Sequence, residues 1–498
     1  MSIGKAAVCY CFIILTSNVD ASTSPSPALI SLDKVIQAVV DYYPSIKIAS
    51  LQVDKVSQNA IRIRSRLGWN LNAGAGVSNY VGFTGSTVNQ GEVGASVTRT
   101  LSWGDQLSFD AKAIWEDSER PFFQSFSNPG TVSSAGINYR HPLQQGKGNV
   151  SYHLALQDNE QNIQIARASL ASLYNGLARQ ITFIYFSAAQ TLSRLDNVRQ
   201  SISRTRRLQK FINNRFSLGI AEDKDKLQVD AEYKSQVARL KALDVIWIEQ
   251  QIALNRLMGI KWDKIFITEL PKSTDASFKN FTEYLEQIKH YDPQLRQINA
   301  QIQLATNNIQ LRREKKRNNM DIVMHFGQQK RSTDITFDGS DYSEVVGGLK
   351  LEYKNALDKT GSDAAIFQSQ LDRDAALQQK YFREQELHYD VASLLAELKA
   401  ARLSTHAYLD SVKTERAKLT EADERYKRGR IDVDLLLKFE TQLSIAQLAY
   451  SLQTIDVARR EYVLLRLRGE IWRSISLPAA TEIFPEGSQL QKSSGTVK

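Results

Sequence analysis

Two periodicities alternate along the chain. Between residues 69 and 141 apolar and polar side chains change places at nearly every position. Leu71, Ala73, Ala75 and Val77 share one side, and Asn72, Gly74, Gly76 and Ser78 the other. Val93, Ala95, Val97, Leu101 and Trp103 alternate in the same way with Gly94, Ser96, Thr98, Thr100 and Ser102. Leu107, Phe109, Ala111, Ala113 and Trp115 alternate with Ser108, Asp110 and Lys112, and Ala135, Ile137 and Tyr139 with Ser134, Gly136, Asn138 and Arg140. A second region carries Met320, Ile322, Met324 and Phe326, then Val345, Leu349, Leu351 and Tyr353 against Glu344, Lys350 and Glu352. A period of two predicts strands. An apolar face opposite a polar one, with small residues and aromatics near strand ends, fits barrel strands in a bilayer. A soluble sandwich with one face in its core produces the same alternation. Arg99 interrupts the apolar side, so it lies near an interface or counts against a bilayer. The links Gly82–Gly91 and Asp117–Gly130 are long and polar, whereas Gly104-Asp105-Gln106 is a short turn.

Elsewhere the period is helical. Asn149–Phe216, Lys224–Met258, Gly361–Tyr426 and Val433–Ile471 read as long helices without proline. At about 1.5 Å per residue the longest would reach on the order of 100 Å, too far for a compact domain. Leu436, Leu443, Tyr450, Val457, Leu464 and Ile471 recur every seventh residue, the period of a coiled coil. Ordinary bundle packing is the alternative.

The chain also repeats itself. Ser31–Ile36 through Tyr43-Pro44 to Arg66 resembles Asn280–Leu285 through Asp292-Pro293 to Arg317. In each, a short amphipathic helix meets a proline that opens a longer polar helix. Arg215-Phe216-Ser217-Leu218-Gly219 resembles Arg425-Tyr426-Lys427-Arg428-Gly429, each between two long helices. Glycine there suits the left-handed helix cap. The pattern predicts a first repeat at 22–271, with a β-segment at 69–141 and a helical hairpin at 149–258. The second repeat is 272–471, with a β-segment at 320–354 and a hairpin at 361–471, followed by a polar tail at 472–498. Pro44 to Gly219 is longer than Pro293 to Gly429, yet Pro142 to Gly219 nearly equals Asn355 to Gly429. The surplus therefore lies in the first β-segment, which offers four strands where the second offers two.

Composition narrows the classes. The 498 residues carry 63 basic and 54 acidic side chains, a net +9 without a block of like charge, so no nucleic-acid partner is called for. No apolar run of eighteen residues occurs, which excludes a polytopic helical membrane protein but not a barrel. Residues 1–21 read as a secretory signal: Lys5, the apolar stretch Ala6–Leu15, and Val19-Asp20-Ala21 before cleavage. Both cysteines, Cys9 and Cys11, fall inside it, so the mature chain would hold no disulfide or thiolate site. The histidines at 141, 153, 290, 325, 388 and 406 are scattered, and HExxH, Walker A and GxSxG patterns are absent. No catalytic, cofactor-binding or metal-binding residue is assigned.

The duplicated unit, the two helix breaks, the Arg-aromatic-x-x-Gly turns and the junction His141–Gly148 together resemble the TolC family of outer-membrane efflux channels. The resemblance spans essentially the whole mature chain. It implies an α+β membrane protein built from two tandem structural repeats. Three chains would form a transmembrane β-barrel continuous with a long periplasmic α-helical coiled-coil barrel, in the outer membrane of a Gram-negative bacterium. The function implied is passive export of small molecules or proteins in a tripartite efflux or type I secretion system. A periplasmic adaptor and an inner-membrane transporter would dock at the tips, here Arg215, Gly219, Arg425 and Gly429. Family members usually supply four strands per chain; the count here predicts six, eighteen in a trimer, unless 92–117 lies outside the wall. The family's acidic gate positions fall on Leu435 and Lys438, so Asp432 and Asp434 either substitute or merely cap a helix, while Asp225 matches in the first repeat. The candidate gate is thus Asp225, Asp432, Asp434 and Lys438. A periplasmic coiled-coil structural or adaptor protein is the alternative function.

Overall fold

The computed structural model describes residues 28–81, 87–118, 130–219, 222–270, 280–333, 342–473 and 475. The signal segment 1–21 and nearly all of the tail 472–498 lie outside these. The order is β1 (Ala28–Ile30), α1 (Leu32–Tyr42), α2 (Pro44–Arg64), β2 (Trp69–Val81), β3 (Thr87–Thr100), β4 (Gln106–Ser118), β5 (Gly130–Pro142), α3 (Val150–Ser217) and α4 (Asp223–Met258). There follow β6 (Phe266–Thr268), α5 (Phe281–Tyr291), α6 (Pro293–Lys316), β7 (Asn319–Thr333), β8 (Tyr342–Lys354), α7 (Thr360–Lys427) and α8 (Val433–Leu467).

The chain divides into two compact units that do not follow the two repeats. One comprises 1–39, 181–273 and 404–459; the other comprises 40–180, 274–403 and 460–498. Within the first, β1 pairs in parallel with β6, Ala28 opposite Phe266 and Ile30 opposite Thr268. Tyr185 of α3 is fully buried there. Its hydroxyl lies 2.8 Å from the Ile30 carbonyl and 2.6 Å from that of Glu269. Burial pushes this phenol up, so it stays a donor. Tyr185→Phe removes that donor, while the Ile30 carbonyl keeps the Glu269 N–H at 3.1 Å. It is expected to cost about 0.5–1.5 kcal/mol in the unfolding of the purified protein.

The second unit holds a six-stranded antiparallel sheet in the order β2-β3-β4-β5-β7-β8. Both central strands of the surplus segment are full members. β3 pairs with β2 from Trp69↔Arg99 to Val81↔Thr87 and with β4 from Val88↔Ser118 to Thr100↔Gln106. Residues 92–117 therefore do not form a hairpin outside the sheet. The long links expected from polarity are shorter than expected. Thr87–Gly91 pairs with Val77–Val81, and Asp117 and Ser118 belong to β4. The ladder is made of backbone bonds, so it runs on past the last apolar residue into polar sequence.

The helices of this unit start as proline dictates. Pro44 and Pro293 occupy first-turn positions of α2 and α6, where a missing N–H costs nothing. The tail corrects one boundary. Ile471, Trp472 and Ile475 are buried. Trp472 packs on Tyr174 at 5.7 Å and donates to Asn175 Oδ1 at 3.1 Å. An indole with a partner for its N–H belongs in a core, so packed structure extends past 471 and the polar tail begins later.

Candidate functional site

The helical hairpin turns come first, because the gate and docking candidates lie there. Gly219 and Gly429 adopt φ of +73° and +70°, and their N–H groups bond the carbonyls of Phe216 and Tyr426, each at 2.9 Å. A side chain is disfavoured at such φ, which is why each turn carries glycine. The two turns share one small core of Ile212, Val229, Ala422, Tyr426, Val433 and Leu436. Arg215 stacks over Phe211 and Tyr426, 5.8 and 6.0 Å from the ring centroids. Its role here is to join the hairpins. Arg425 is exposed and bonds Glu421 at 2.8 Å.

The acidic candidates are brought to the same end. Asp225 is half-buried in the first turn of α4. Burial pushes the Tyr426 phenol up, and the Asp225 charge adds to this. Asp434 lies 3.7 Å from Lys224, and Asp432 and Lys438 are exposed. The Asp432 carbonyl, rather than its carboxylate, accepts the Leu436 N–H at 3.3 Å. Tyr426 is the aromatic of the turn motif, but nothing local in the sequence marks it as a partner of Arg215, or Lys224 as a partner of Asp434.

Buried charge follows α8 further along. Arg204 of α3 donates from Nε to both Glu440 oxygens, at 2.9 and 2.7 Å. Burial pushes the Glu440 carboxyl up, against the pull of Arg204. The pair borders a cavity of about 430 Å³ with Arg207, Phe211, Asp423 and Lys427. In the other unit Glu461, 2 % exposed, takes Arg402 Nη2 at 2.5 Å. A signal for both was present. Glu440, Gln447, Thr454, Glu461 and Arg468 follow each heptad residue by four, the second seam of a coiled coil, where apolar residues are expected.

The sheet sorts its side chains by face. The apolar set is open: Val77 is 84 % exposed, Leu349 73 %, Leu71 69 % and Phe326 64 %. Trp115 lies over Gly91 so closely that a Cβ there would stand 1.9 Å from the ring. Arg99, the interruption of this face, sits beside the strand end, stacked 5.6 Å from Trp69 and bonded to the Leu67 carbonyl at 3.2 Å. The polar face is cross-linked. Lys112 meets Glu92 at 2.9 Å, and Arg140 meets Asp321 at 2.7 Å and Glu352 at 3.0 Å. Asn138 donates from Nδ2 to Asp110, and its Oδ1 accepts from His325 Nδ1 at 2.7 Å.

A further cluster lies where β5 turns into α3. Asp105, 3 % exposed, receives Trp103 Nε1 at 2.7 Å, His141 Nδ1 at 2.7 Å and the Tyr139 hydroxyl. Among the described residues no helix is long and apolar enough to cross a membrane.

No family model and no curated protein sequence matches the chain. Solved structures do. The outer-membrane channel OprN superposes with a TM-score of 0.65 at 14% identity, over 88% of this chain and 89% of that one. The outer membrane protein VceC from Vibrio cholerae gives 0.63 at 14%, over 88% and 96%. The CmeC outer membrane channel of Campylobacter jejuni gives 0.61 at 12%, over 88% and 85%. This chain has the fold of these outer-membrane channel structures.

Proposed function

We propose that this chain, folded like outer-membrane channels, is itself an outer-membrane channel, the exit duct of a tripartite efflux or type I secretion system. The observation that carries the reading is a sheet with one bare apolar face and one cross-linked polar face, continuing into long helices. A soluble sandwich would bury the apolar face; here Val77, Leu71, Phe326 and Leu349 lie open. Lipid suits that face. An open sheet edge is not tolerated in a bilayer, so β2 and β8 must find partners on other copies. A homotrimer closes the wall with eighteen strands, the count that three six-stranded sheets supply. The hairpins then extend into the periplasm and meet an adaptor and an inner-membrane transporter at their turns. A periplasmic scaffold or adaptor has no use for a bare apolar sheet. The test is cell fractionation with a urea wash: retention in the outer membrane supports the channel, and release as a soluble periplasmic protein rejects it.

In this reading Asp225, Asp432 and Asp434 set the charge of the duct's periplasmic end, with Lys438 and the Asp434 partner Lys224 offsetting part of it. Three copies of each carboxylate attract cations. The triple variant Asp225→Asn, Asp432→Asn, Asp434→Asn is expected to weaken block by a trivalent cation by about tenfold, read as the half-blocking concentration in planar bilayers. An unchanged value assigns these residues to helix ends only.

A further inference from the structure

Four strands of the sheet are tied to helices. β2 follows α2, β5 leads through the junction to α3, β7 follows α6, and β8 leads to α7. β3 and β4 have no helix. On the side where the others enter helices, they are joined only to each other, through Leu101–Asp105. The hairpin is nonetheless as tall as its neighbours: β4 also pairs with β5 from Gln106↔Arg140 to Glu116↔Gly130. Its faces match theirs. Val93, Ala95, Val97, Phe109 and Ala111 lie with the apolar set, and Glu92, Asp110 and Lys112 with the polar set.

A strand pair without a helix beneath it needs another anchor, and the Asp105 cluster provides it. The Trp103 carbonyl accepts the Gly148 N–H at 2.9 Å, and the Leu101 carbonyl accepts Asn149 Nδ2 at 3.2 Å. Gly104, at φ +105°, comes so near the junction that a Cβ would stand 2.3 Å from the Gly146 carbonyl oxygen. Asp105 ties its own turn to Tyr139 and His141 of β5.

We propose that the β3–β4 hairpin is a widening insert in the barrel wall, seated on the β5–α3 junction, which lets the barrel admit solutes broader than a wall built only from the helix-bearing strands would pass. The proposal rests on the trimeric channel above. Barrel diameter grows roughly in proportion to strand number, so eighteen strands rather than twelve give a bore about 1.5-fold wider. The same helices lie below either wall. The hairpin therefore widens the barrel alone, and the solutes it favours are those whose passage through the barrel is set by size, with no specific pocket required.

The experiment measures the bore inside the barrel, independently of the helical duct. Cys9 and Cys11 are replaced by serine and Ser134→Cys is introduced on the polar face of β5, opposite Lys112. Thiol-reactive polyethylene glycols of graded size are added outside to the outer-membrane protein. The full chain is expected to react with polymers about 1.5-fold wider than a chain lacking residues 87–118 does, and an equal cut-off overturns the proposal. Deleting an antiparallel pair leaves β2 and β5 antiparallel, so the shortened wall has a topology it can adopt. Should the shortened chain fail to assemble, Lys112→Cys and Ala111→Cys in the full chain decide. Labelling of 112 and not 111 by the water-borne reagent places the hairpin in the wall; labelling of both places it outside and overturns the proposal. A full chain absent from the outer membrane instead defeats the channel reading itself.

Discussion

Asp292→Ala is expected to destabilise the chain by about 3–5 kcal/mol, measured by denaturant unfolding of the purified protein in detergent. One carboxylate does two jobs there. Oδ1 accepts the Leu295 N–H at 2.7 Å and caps α6, while Oδ2 holds Arg383 Nη2 of α7 at 2.7 Å. The paired side chains are 8% and 17% exposed, so solvent replaces little of what is lost. Arg383 keeps Glu386 at 2.6 Å, which limits the damage without supplying the cap. A cap alone is worth about 0.5–2 kcal/mol. Arg296 also depends on this site: burial lowers its pKa, and the charge of Asp292 opposes that. Asp292→Asn keeps an acceptor for Leu295 and gives up the charge, so its loss should fall between alanine and the parent. Tyr43, the corresponding position in the first repeat, makes no side-chain cap to α2. Tyr43→Ala should therefore cost far less, and equal losses at both positions would contradict the assignment.

Glu461→Ala should cost about 1–3 kcal/mol, because Arg402, its side chain 30% exposed, loses a buried charged partner but keeps access to solvent. Arg402 approaches Glu461 with Nη2 at 2.5 Å and Nε at 3.2 Å. Removing both charges is a different experiment. Glu461→Leu with Arg402→Met leaves no unpaired charge, and stability should return to near the parent value. The pair's contribution is then to register: an acid in a helical seam fixes which turn of α7 faces which turn of α8. A single variant within about 0.5 kcal/mol of the parent would mean the guanidinium is already solvated, and the register argument would fall.

Much of the architecture was legible because its signals are local. Alternation over Leu107–Trp115 needs no knowledge of the rest of the chain, since side chains on a strand change face at every residue. Leu436, Leu443 and Leu464, all buried, were identified by heptad spacing alone. Gly219 and Gly429 marked the turns because a left-handed φ is costly for other residues. Polarity taken as a proxy for loop, at Thr87–Gly91, starts β3 too late. Trp472, placed in a polar tail, proved to be core, since one aromatic in isolation carries no period.

Of the candidate site, the family resemblance picked out Arg215, Asp225, Arg425, Asp432, Asp434 and Lys438, beside turns that the glycines mark in the sequence. It could not say that Arg215 would stack on Tyr426 or that Lys224 would face Asp434. Nor could it join Asp105 to His141, Glu440 to Arg204, or Asp292 to Arg383. Sequence by itself determined the strand and helix periods, the six strands of the sheet and the positions of the turns, because each follows from steric rules acting over a few residues. Only the tertiary structure decided which buried charges meet and where the extra hairpin rests. Those contacts join segments far apart in the chain: the heptad marks Glu440 and Glu461 as polar seam residues, but no local period names the partner of either.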